Sequence, residues 1–472
     1  MDFQKKSKLK SFFKPIEGHL MNKKLLIFLI LFSLQITSSA ANADDSAFVR
    51  TFKTVRPEIV GLSTVKISLI DNIVKEGINA HAYPGCQVLV MKDGQIVYDR
   101  AFGRLTYENP QPVNANTLYD LASLTKTTAT LFAIMKLYDA GKLKPEDKAS
   151  EYLKFLQFSD KSDITIQDLL FHSSGLPSYL NFNRLVITKN IATLNIPERD
   201  EPTLGNKTIR FKPEMVSKTY SVDYPYQAGD SLFLHKSTHS LAMQMIAETP
   251  LRAPDYVYSC INFILLKEIA EQISGMSLDK FLKTEFYEPM GLQNLTYLPL
   301  RNHKADRIAP TVRFDSFRNQ SLKGYVHDPA AAFLGNISGN AGLFGNARDV
   351  ATLYQMLLNR GELDGKRYLS ETTCRRFIET TSPDGLHGLG FAKPTPSKPN
   401  TNPCGASAPM AVVGHTGYTG TCIWIDPKNN MIFVFLSNRT YPSDGVNKLA
   451  RMKIRPRIHE QIYQSFIGKI KH

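Results

Sequence analysis

The chain has 472 residues, 43% of them hydrophobic and 21% charged, so it can bury a large core. Its formal net charge of +14 is spread along the sequence without a basic patch interleaved with aromatic residues, so nucleic acid is not an expected partner. The five cysteines lack the paired spacing of a zinc site; most should be buried thiols, although Cys404 and Cys422 could form a bridge.

The first 43 residues carry an export pattern. From Met21 the chain reads Met-Asn-Lys-Lys, continues in an apolar run from Leu25 to Ile36, and reaches Ala-Asn-Ala at residues 41–43. A short basic region, a short apolar run and an Ala-x-Ala site are typical of a secretory signal peptide. We expect residues 1–43 to be an N-terminal extension and signal peptide, cleaved before Asp44; if uncleaved, this segment would tether the protein to the inner membrane.

Residues 44–470 contain no low-complexity linker or internal repeat and are predicted to form one unit. Its first element is an amphipathic helix within residues 55–80, packed on a sheet. The apolar positions at helical spacing are Ile59, Leu62, Val65, Leu69, Ile73 and Ile78. Residues 85–98 are two β-rich runs around Asp93-Gly94, which predicts a hairpin, so the first strands are antiparallel.

The segment Leu118–Lys126 opens the next helical pattern and carries the candidate nucleophile. Ser123 and Lys126 are three residues apart, so they lie on one face of a helix and the amine can reach the hydroxyl. Burial of Lys126 should lower its pKa and let it accept the serine proton near neutral pH. The alternative is a Ser123 helix cap beside a solvated lysine. The same spacing recurs at Ser7/Lys10, Ser11/Lys14, Ser63/Lys66 and Ser277/Lys280.

The middle of the chain is predicted to be mostly helical. Thr165 and Asp168 resemble a capping box that starts the segment Leu169–Pro177. Residues 178–255 are polar and interrupted by prolines, which predicts an irregular insertion beside the site. Within it, His235 and His239 have metal-ligand spacing but lack the glutamate of a zinc-protease motif, so no metal centre is expected.

Tyr258-Ser259-Cys260 precedes a helical pattern that ends at Gly275. The glycine-rich stretch 335–345 leads into another helix, and it is not a phosphate loop because no Gly-Lys-Ser/Thr follows. We interpret it as tight backbone geometry beside a cleft.

The C-terminal third returns to strands. A run at 411–413 leads into Gly414–Gly420, and residues 421–425 and 431–436 form a second predicted hairpin. A final amphipathic helix over about 446–467 should cover the sheet beside the N-terminal helix.

Three motifs follow one another along the chain: Ser-x-x-Lys at a helix start, Tyr-Ser-x before a helix, and His-Thr-Gly on a late strand. In this order they resemble the serine β-lactamase and penicillin-binding-protein superfamily, in the branch of class C β-lactamases, DD-peptidases and related esterases. Leu169–Pro177 and Gly339–Gly345 also match that branch. Further segments, among them Val326–Asp328 and Ser437–Arg439, are similar to penicillin-binding proteins of the 4B type.

The resemblance implies an α/β fold of the β-lactamase/transpeptidase type. In that fold, an antiparallel sheet built from both chain ends is flanked by helices, and the active site lies between the sheet and a mostly helical middle region. No cofactor or metal is implied. Carried over by position, Ser123 is acylated, Lys126 activates it, and Tyr258 shares in moving protons between nucleophile and leaving group. The backbone N–H groups of Ser123 and Tyr418 form the oxyanion hole.

Two positions depart from the family pattern. Cys260 stands where the second motif usually ends in asparagine, and a thiol is a poor hydrogen-bond partner for a substrate amide. His415 stands where many members carry lysine, ahead of Thr416 and Gly417 on the substrate-binding strand. Since histidine loses its charge near neutral pH, we expect activity on carboxylate-bearing substrates to weaken as pH rises through about 6 to 7.

The implied function is a periplasmic serine acyl hydrolase that cleaves D-Ala-D-Ala peptides of peptidoglycan, with β-lactams as possible inhibitors. Esters, amides and β-lactams all pass through a tetrahedral oxyanion and an acyl-serine. An esterase, a D-amino-acid amidase acting on small acyl substrates, or a β-lactamase is therefore the alternative. A further alternative is not an enzyme: the protein could be a cell-wall binding module with a degenerate site, and Cys260 is the residue that favours this interpretation.

Overall fold

Two antiparallel hairpins from opposite ends of the chain join into the main sheet of the protein. The computed structural model describes residues 52–188, 209–253 and 255–472, all within one unit, Val49–His472. The predicted signal peptide lies outside the described residues, as does part of the predicted insertion. The strands are β1 Gly85–Lys92, β2 Gln95–Gly103, β3 Tyr119–Asp120, β4 Val216–Ser217, β5 Tyr226–Gly229, β6 Leu232–Leu234, β7 Thr296–Tyr297, β8 Val312–Asp315, β9 Gln320–Leu322, β10 Leu343–Gly345, β11 Glu362–Leu363, β12 Lys366–Arg367, β13 Val413–Thr416, β14 Cys422–Asp426 and β15 Met431–Ser437.

Helices cover both faces of this sheet and fill the middle of the chain. None of the described helices is long and apolar enough to cross a bilayer. The α-helices are α1 Thr64–Ile67, α2 Ile70–Asn79, α3 Leu131–Asp139, α4 Ala149–Tyr152, α5 Ile166–Phe171, α6 Ser237–Glu248, α7 Cys260–Ser274, α8 Leu278–Leu282, α9 Pro329–Phe333, α10 Ala347–Leu358, α11 Glu371–Glu379, α12 Lys448–Arg451 and α13 Ile454–Gln464.

The five-stranded sheet has the order β13-β14-β15-β1-β2, with every neighbouring pair antiparallel. Its hairpin turn at Asp93-Gly94 has positive φ at both residues, +52° and +73°, as a two-residue turn with the right-handed twist of the strands requires. The C-terminal strands pair with the N-terminal strands through β15 and β1. The predicted antiparallel sheet from both chain ends is therefore confirmed.

Both faces of the sheet are buried, because successive side chains of a strand point to opposite faces. On β1, Val88 and Val90 pack with helix α13 in one core, whereas Leu89 and Met91 pack in the larger core with the helical region. The predicted pairing of the N- and C-terminal helices on one face is confirmed, since α13 packs against α1 and α2. The site strand β13 lies at the opposite edge of the sheet from β2.

The helix predicted within residues 55–80 is broken into three pieces. A 3₁₀ turn at Pro57–Val60 ends at Gly61, whose φ of +79° is left-handed, and the Ser63 side chain then caps α1. The predicted inward positions Ile59, Val65 and Leu69 are 63%, 76% and 43% exposed. The single-helix prediction was wrong there because a left-handed glycine and a serine cap interrupt the helical register.

The insertion at 178–255 is more ordered than predicted in its described part. It contains the small sheet β4-β6-β5 and the helix α6, which buries Ala242, Met243 and Ile246. The capping box at Thr165 and Asp168 is confirmed at the start of α5. All five cysteines are free thiols, including Cys404 and Cys422.

The glycine-rich loop 335–345 packs its backbone directly against α7. A Cβ atom added at Gly339 would lie 1.9 Å from the carbonyl oxygen of Phe263 and 2.7 Å from the Cβ of Lys267. The Gly339 carbonyl also accepts a hydrogen bond from the Thr130 hydroxyl at 2.8 Å. Only a residue without a side chain permits this approach of loop and helix.

We therefore expect Gly339→Ala to destabilise the protein by about 1–3 kcal/mol, the usual cost of overpacking a dense core. The measurement is the thermal or denaturant midpoint. Gly468→Ala is the matched control, because an added Cβ there meets no atom within 4 Å and the midpoint should not change. Equal midpoints for both variants would contradict the proposed packing.

Candidate active site

A strained turn presents Ser123 at the end of a short strand. After β3, Ala122 has a left-handed φ of +48°, and the helical residues begin immediately beyond Ser123. The buried Asp120 carboxylate accepts the Ala122 N–H at 2.8 Å and the His327 N–H at 2.6 Å. Burial raises the pKa of Asp120 to about 6, although these two hydrogen bonds oppose the shift. Asp120 thus holds the turn that carries the candidate nucleophile.

The structure brings the three predicted catalytic side chains together. Ser123 Oγ lies 3.1 Å from Lys126 Nζ and 2.9 Å from the Tyr258 hydroxyl, which is 135 residues further along the chain. Both neighbours donate to the serine oxygen in the resting arrangement. The serine oxygen therefore contacts both groups that could take up its proton or return one to a leaving group.

Lys126 is fully buried and its ammonium group is solvated by protein. Its Nζ donates to Ser123 Oγ, to the Asn340 carbonyl at 3.0 Å and to Cys260 Sγ at 3.5 Å, which uses the three N–H bonds of a charged amine. Burial alone would lower the Lys126 pKa, but the fields of Cys260, Tyr258 and Asp328 outweigh it and the net shift is upward. The predicted fall in the Lys126 pKa was therefore wrong: desolvation is the largest single effect, but the opposing effects of Cys260, Tyr258 and Asp328 together exceed it.

Tyr258 is a neutral phenol in this arrangement. Burial raises its pKa, and the Lys126 cation only partly offsets this. The ring packs 4.8 Å from the His172 ring, whose Nδ1 accepts the Ser259 N–H at 3.1 Å. Burial depresses the His172 pKa well below its ordinary value. His172 is thus a neutral ring that packs against Tyr258. The sequence predicted no role for it, although it lies within the family-like segment Leu169–Pro177.

The segment 417–421 is clamped to the residues just before Ser123. The hydroxyls of Thr419 and Thr421 donate to the carbonyls of Asp120 and Leu121 at 2.7 and 3.0 Å. A Cβ at Gly417 would lie 2.6 Å from the Leu121 carbonyl oxygen, so the segments that follow β13 and β3 touch there. This contact fixes the spacing between the Ser123 backbone and the backbone of the following Tyr418, the two residues whose N–H groups are predicted to form the oxyanion hole.

His415 lies in the cleft wall but carries no charge at neutral pH. Its Nδ1 donates to the Thr416 carbonyl at 2.7 Å, so the neutral ring presents Nε2 as an acceptor. Burial, with the Lys126 cation nearby, lowers the His415 pKa to about 3. The expectation that His415 titrates between pH 6 and 7 was therefore wrong. The sequence could not reveal this because burial and the nearest cation depend on the fold.

Cys260 contacts Lys126 and does not line the cleft. Its N–H donates to the Ser178 carbonyl at 2.9 Å at the start of α7, and burial raises its thiol pKa. Asn262, two residues later, is fully buried and accepts the Ser174 hydroxyl at 2.7 Å while donating to the Leu169 carbonyl. It therefore faces away from the cleft and cannot replace the missing amide at Cys260.

A cleft of about 390 Å³ opens beside Ser123. Its walls include residues for which the sequence predicted no role. Tyr256 stacks on His387 with ring centroids 3.5 Å apart, and Arg455 and Arg439, the latter at the end of the family-like segment Ser437–Arg439, line the cleft. Tyr258, His415, Thr416, Gly417 and Tyr418 also line it. A nucleophilic hydroxyl with two proton-transfer partners, set beside a clamped strand end in an open cleft, is suited to acyl transfer.

The family model described as Beta-lactamase matches residues 70–195 and 218–454 of this chain. Among curated proteins, one from Escherichia coli (strain K12) is 30% identical over 447 residues, which cover 89% of this chain and 91% of that protein. That protein carries the name "Putative D-alanyl-D-alanine carboxypeptidase".

Solved structures give the same fold. A penicillin-binding protein homologue from Caulobacter crescentus aligns with a TM-score of 0.58 at 18% identity, covering 86% of this chain and 99% of that one. EstCE1, a hydrolase with promiscuous acyltransferase activity, aligns with a TM-score of 0.58 at 19% identity, covering 84% and 99%. At these identities the likeness establishes the architecture alone.

The pKa directions predict the pH profile of acylation. Lys126 and Tyr258 both hold their protons in the resting site, so the base for Ser123 forms only when this pair loses one proton. That fraction grows with pH, so acylation by a neutral ester should accelerate from about pH 6 to 9, by up to about tenfold per pH unit. The measurement is the single-turnover acylation rate, corrected for the rate with Ser123→Ala.

His415→Gln is the control for this profile. Since His415 becomes charged only near pH 3, the variant should give the same slope as the unmodified protein. A decline between pH 6 and 7 that disappears in His415→Gln would contradict the assignment of a neutral ring.

Proposed function

The chain belongs to the β-lactamase family of serine hydrolases, and we propose that it is an exported D-alanyl-D-alanine carboxypeptidase acting on peptidoglycan stem peptides through an acyl-Ser123 intermediate. The observation that carries the proposal is the position of Ser123 Oγ, 3.1 Å from Lys126 Nζ and 2.9 Å from the Tyr258 hydroxyl, at the wall of an open cleft. The name of the Escherichia coli relative, aligned over 91% of its length, supports the choice of substrate.

The proposed reaction has two halves that share one set of side chains. Ser123 Oγ attacks the carbonyl carbon of the penultimate D-alanine, and its proton passes to the Lys126–Tyr258 pair once that pair has lost a proton. The tetrahedral oxyanion is stabilised by the N–H groups of Ser123 and Tyr418. The C–N bond then breaks, the leaving D-alanine nitrogen takes a proton from the same pair, and an ester to Ser123 remains.

In the second half, water attacks that ester carbonyl and gives its proton to the Lys126–Tyr258 pair. Ser123 leaves and regains a proton, so the pair ends as it began. β-Lactams fit the same first half, because their strained amide acylates a serine while the leaving nitrogen stays attached to the acyl group. β-Lactams are therefore proposed as inhibitors when hydrolysis of the acyl-Ser123 adduct is slow compared with its formation.

Export to the periplasm is part of the proposal. It rests on the basic start at Met21, the apolar run to Ile36 and the Ala-x-Ala site at 41–43, all outside the described residues. N-terminal sequencing of the protein isolated from the periplasm of an expressing bacterium should begin at Asp44. Recovery of the unprocessed chain in the membrane fraction would replace this proposal with an inner-membrane tether.

The nucleophile is tested by Ser123→Ala, which should abolish both the benzylpenicillin adduct in the intact mass and D-alanine release from diacetyl-Lys-D-Ala-D-Ala. Ser277→Ala is the matched control: Ser277 and Lys280 have the same spacing, but Ser277 precedes helix α8 without a side-chain capping bond. This variant should keep both activities.

The outcomes separate the candidate functions. D-alanine release together with a lasting adduct supports the carboxypeptidase. A transient adduct with drug consumption and no D-alanine release would indicate a β-lactamase, and hydrolysis of simple esters alone would indicate an esterase. An adduct that persists in Ser123→Ala would mean that another residue is the nucleophile.

A further inference from the structure

His327, in the family-like segment Val326–Asp328, takes no part in the proton transfers, yet its backbone bonds to the strand that leads to Ser123. Its N–H donates to one oxygen of the Asp120 carboxylate at 2.6 Å, and the other oxygen accepts the Ala122 N–H at 2.8 Å. The side chain of His327 is largely buried. The backbone of His327 is therefore tied to the turn before the candidate nucleophile, and its ring has a separate set of contacts.

The His327 ring packs against the side chain of Tyr418. The two ring centroids lie 5.4 Å apart, and the ring planes are inclined at 30°. Arg439 contacts the same Tyr418 ring, with its guanidinium carbon 4.2 Å from the ring centre, and its Nε donates to the Tyr418 carbonyl at 2.6 Å. Tyr418 is 48% exposed, and an exposed side chain changes rotamer readily. These neighbours therefore restrict the position of the Tyr418 ring.

Asp444 joins the two rings at their polar edges. Its Oδ2 accepts the Tyr418 hydroxyl at 3.4 Å and lies 3.7 Å from His327 Nε2. Burial lowers the pKa of His327, although the Asp444 carboxylate opposes the shift. At neutral pH the contact is thus between an uncharged imidazole and a phenol that share one carboxylate.

The position of the Tyr418 side chain bears on its backbone N–H. That N–H and the Gly417 carbonyl belong to one planar peptide group, and glycine does not restrict the rotation of this group as other residues do. The Gly417 carbonyl accepts a long hydrogen bond of 3.4 Å from Arg455. Anchoring at Tyr418 itself is therefore needed to fix the direction of the N–H that is predicted to bind the oxyanion.

We propose that His327 is a positioning residue for the oxyanion hole: its ring holds the Tyr418 side chain and, through it, the direction of the Tyr418 N–H. This deepens the proposed function and rests on its acyl-Ser123 step, whichever acyl substrate is used. His327 is not among the described residues that line the cleft, so it acts through Tyr418. Its loss should weaken the tetrahedral states more than the binding of an unreacted ester.

The test measures single-turnover acylation of the protein by 4-nitrophenyl butyrate. His327→Asn removes the ring but keeps the backbone N–H to Asp120. It should lower the rate constant at saturating ester about ten- to hundredfold, the effect of displacing a reacting group by about 1 Å, and leave the half-saturating ester concentration unchanged. The Ki of phenylboronic acid should rise by the same factor, because its tetrahedral adduct with a serine oxygen places an oxygen in the oxyanion hole.

Two further variants separate positioning from a general loss of structure. His327→Phe keeps a ring against Tyr418 and should recover most of the lost rate. His81→Asn is the matched control, because His81 and Tyr107 form a similar ring pair, 5.0 Å apart at 33°, and neither is among the described residues that line the cleft. Asparagine also tolerates the left-handed φ of +55° at residue 81, so this variant should keep the full rate.

A double-mutant cycle shows whether His327 acts through the Tyr418 side chain. Tyr418→Ala should lower the acylation rate constant by a similar factor, and His327→Asn combined with Tyr418→Ala should be no slower than Tyr418→Ala alone. Independent, additive losses would overturn the proposal, because His327 would then act by another route, such as Asp120.

An unchanged rate constant in His327→Asn would overturn the proposal as well, and so would a loss that His327→Phe does not restore. The two proposals fail separately. Acylation that requires Ser123 but not His327 removes this inference alone, whereas dependence on His327 without D-alanine release removes the carboxypeptidase alone. Acylation that survives in Ser123→Ala, or no acylation by the ester or by benzylpenicillin, removes both.

Discussion

The burial of the Lys126 ammonium is the constraint on which the rest of the site depends. A buried cation costs several kcal/mol unless protein groups replace its water. Here the Ser123 hydroxyl, the Asn340 carbonyl and the Cys260 thiol take that place. The Asn340 carbonyl reaches the amine because Gly339 lets the loop backbone touch helix α7. The loop, the helix start and the candidate nucleophile are thus positioned by the need to solvate one charge.

A second constraint sets where acyl transfer can take place. The turn before Ser123 is left-handed at Ala122, and it persists because the Asp120 carboxylate accepts the Ala122 N–H. The hydroxyls of Thr419 and Thr421 tie the end of the site strand to the same turn. Strain at the candidate nucleophile is therefore paired with rigidity at the predicted oxyanion position, and such pre-organisation favours acyl transfer.

The sequence predicts the hairpins from turn residues and alternating hydrophobic residues, and it predicts the Ser123–Lys126 contact from helical spacing. The meeting of Tyr258 with these two residues is predicted only through the family resemblance. It does not predict charge states. The pKa of Lys126 depends on burial and on Cys260, Tyr258 and Asp328, which are distant in the sequence, and that of His415 depends on burial by the fold. Arg455 sits in an ordinary amphipathic helix, and only the structure shows it facing the cleft.

The neutral His415 and the raised pKa of Lys126 belong to one electrostatic arrangement. The Tyr258 ring lies near both, with its centroid 5.0 Å from Lys126 Nζ and 5.8 Å from the His415 ring. A lysine at position 415 would place a second cation there and lower the Lys126 pKa by repulsion. In this protein residue 415 is a neutral histidine, and a cation of the cleft wall is Arg455. The Lys126–Tyr258 pair therefore keeps its protons. A pair whose pKa values are raised is a weak acid, and it can act as a base only in the fraction of molecules in which it has lost one proton. The same contacts that keep the Lys126 cation stable in the fold therefore limit how often Ser123 has a deprotonated base beside it.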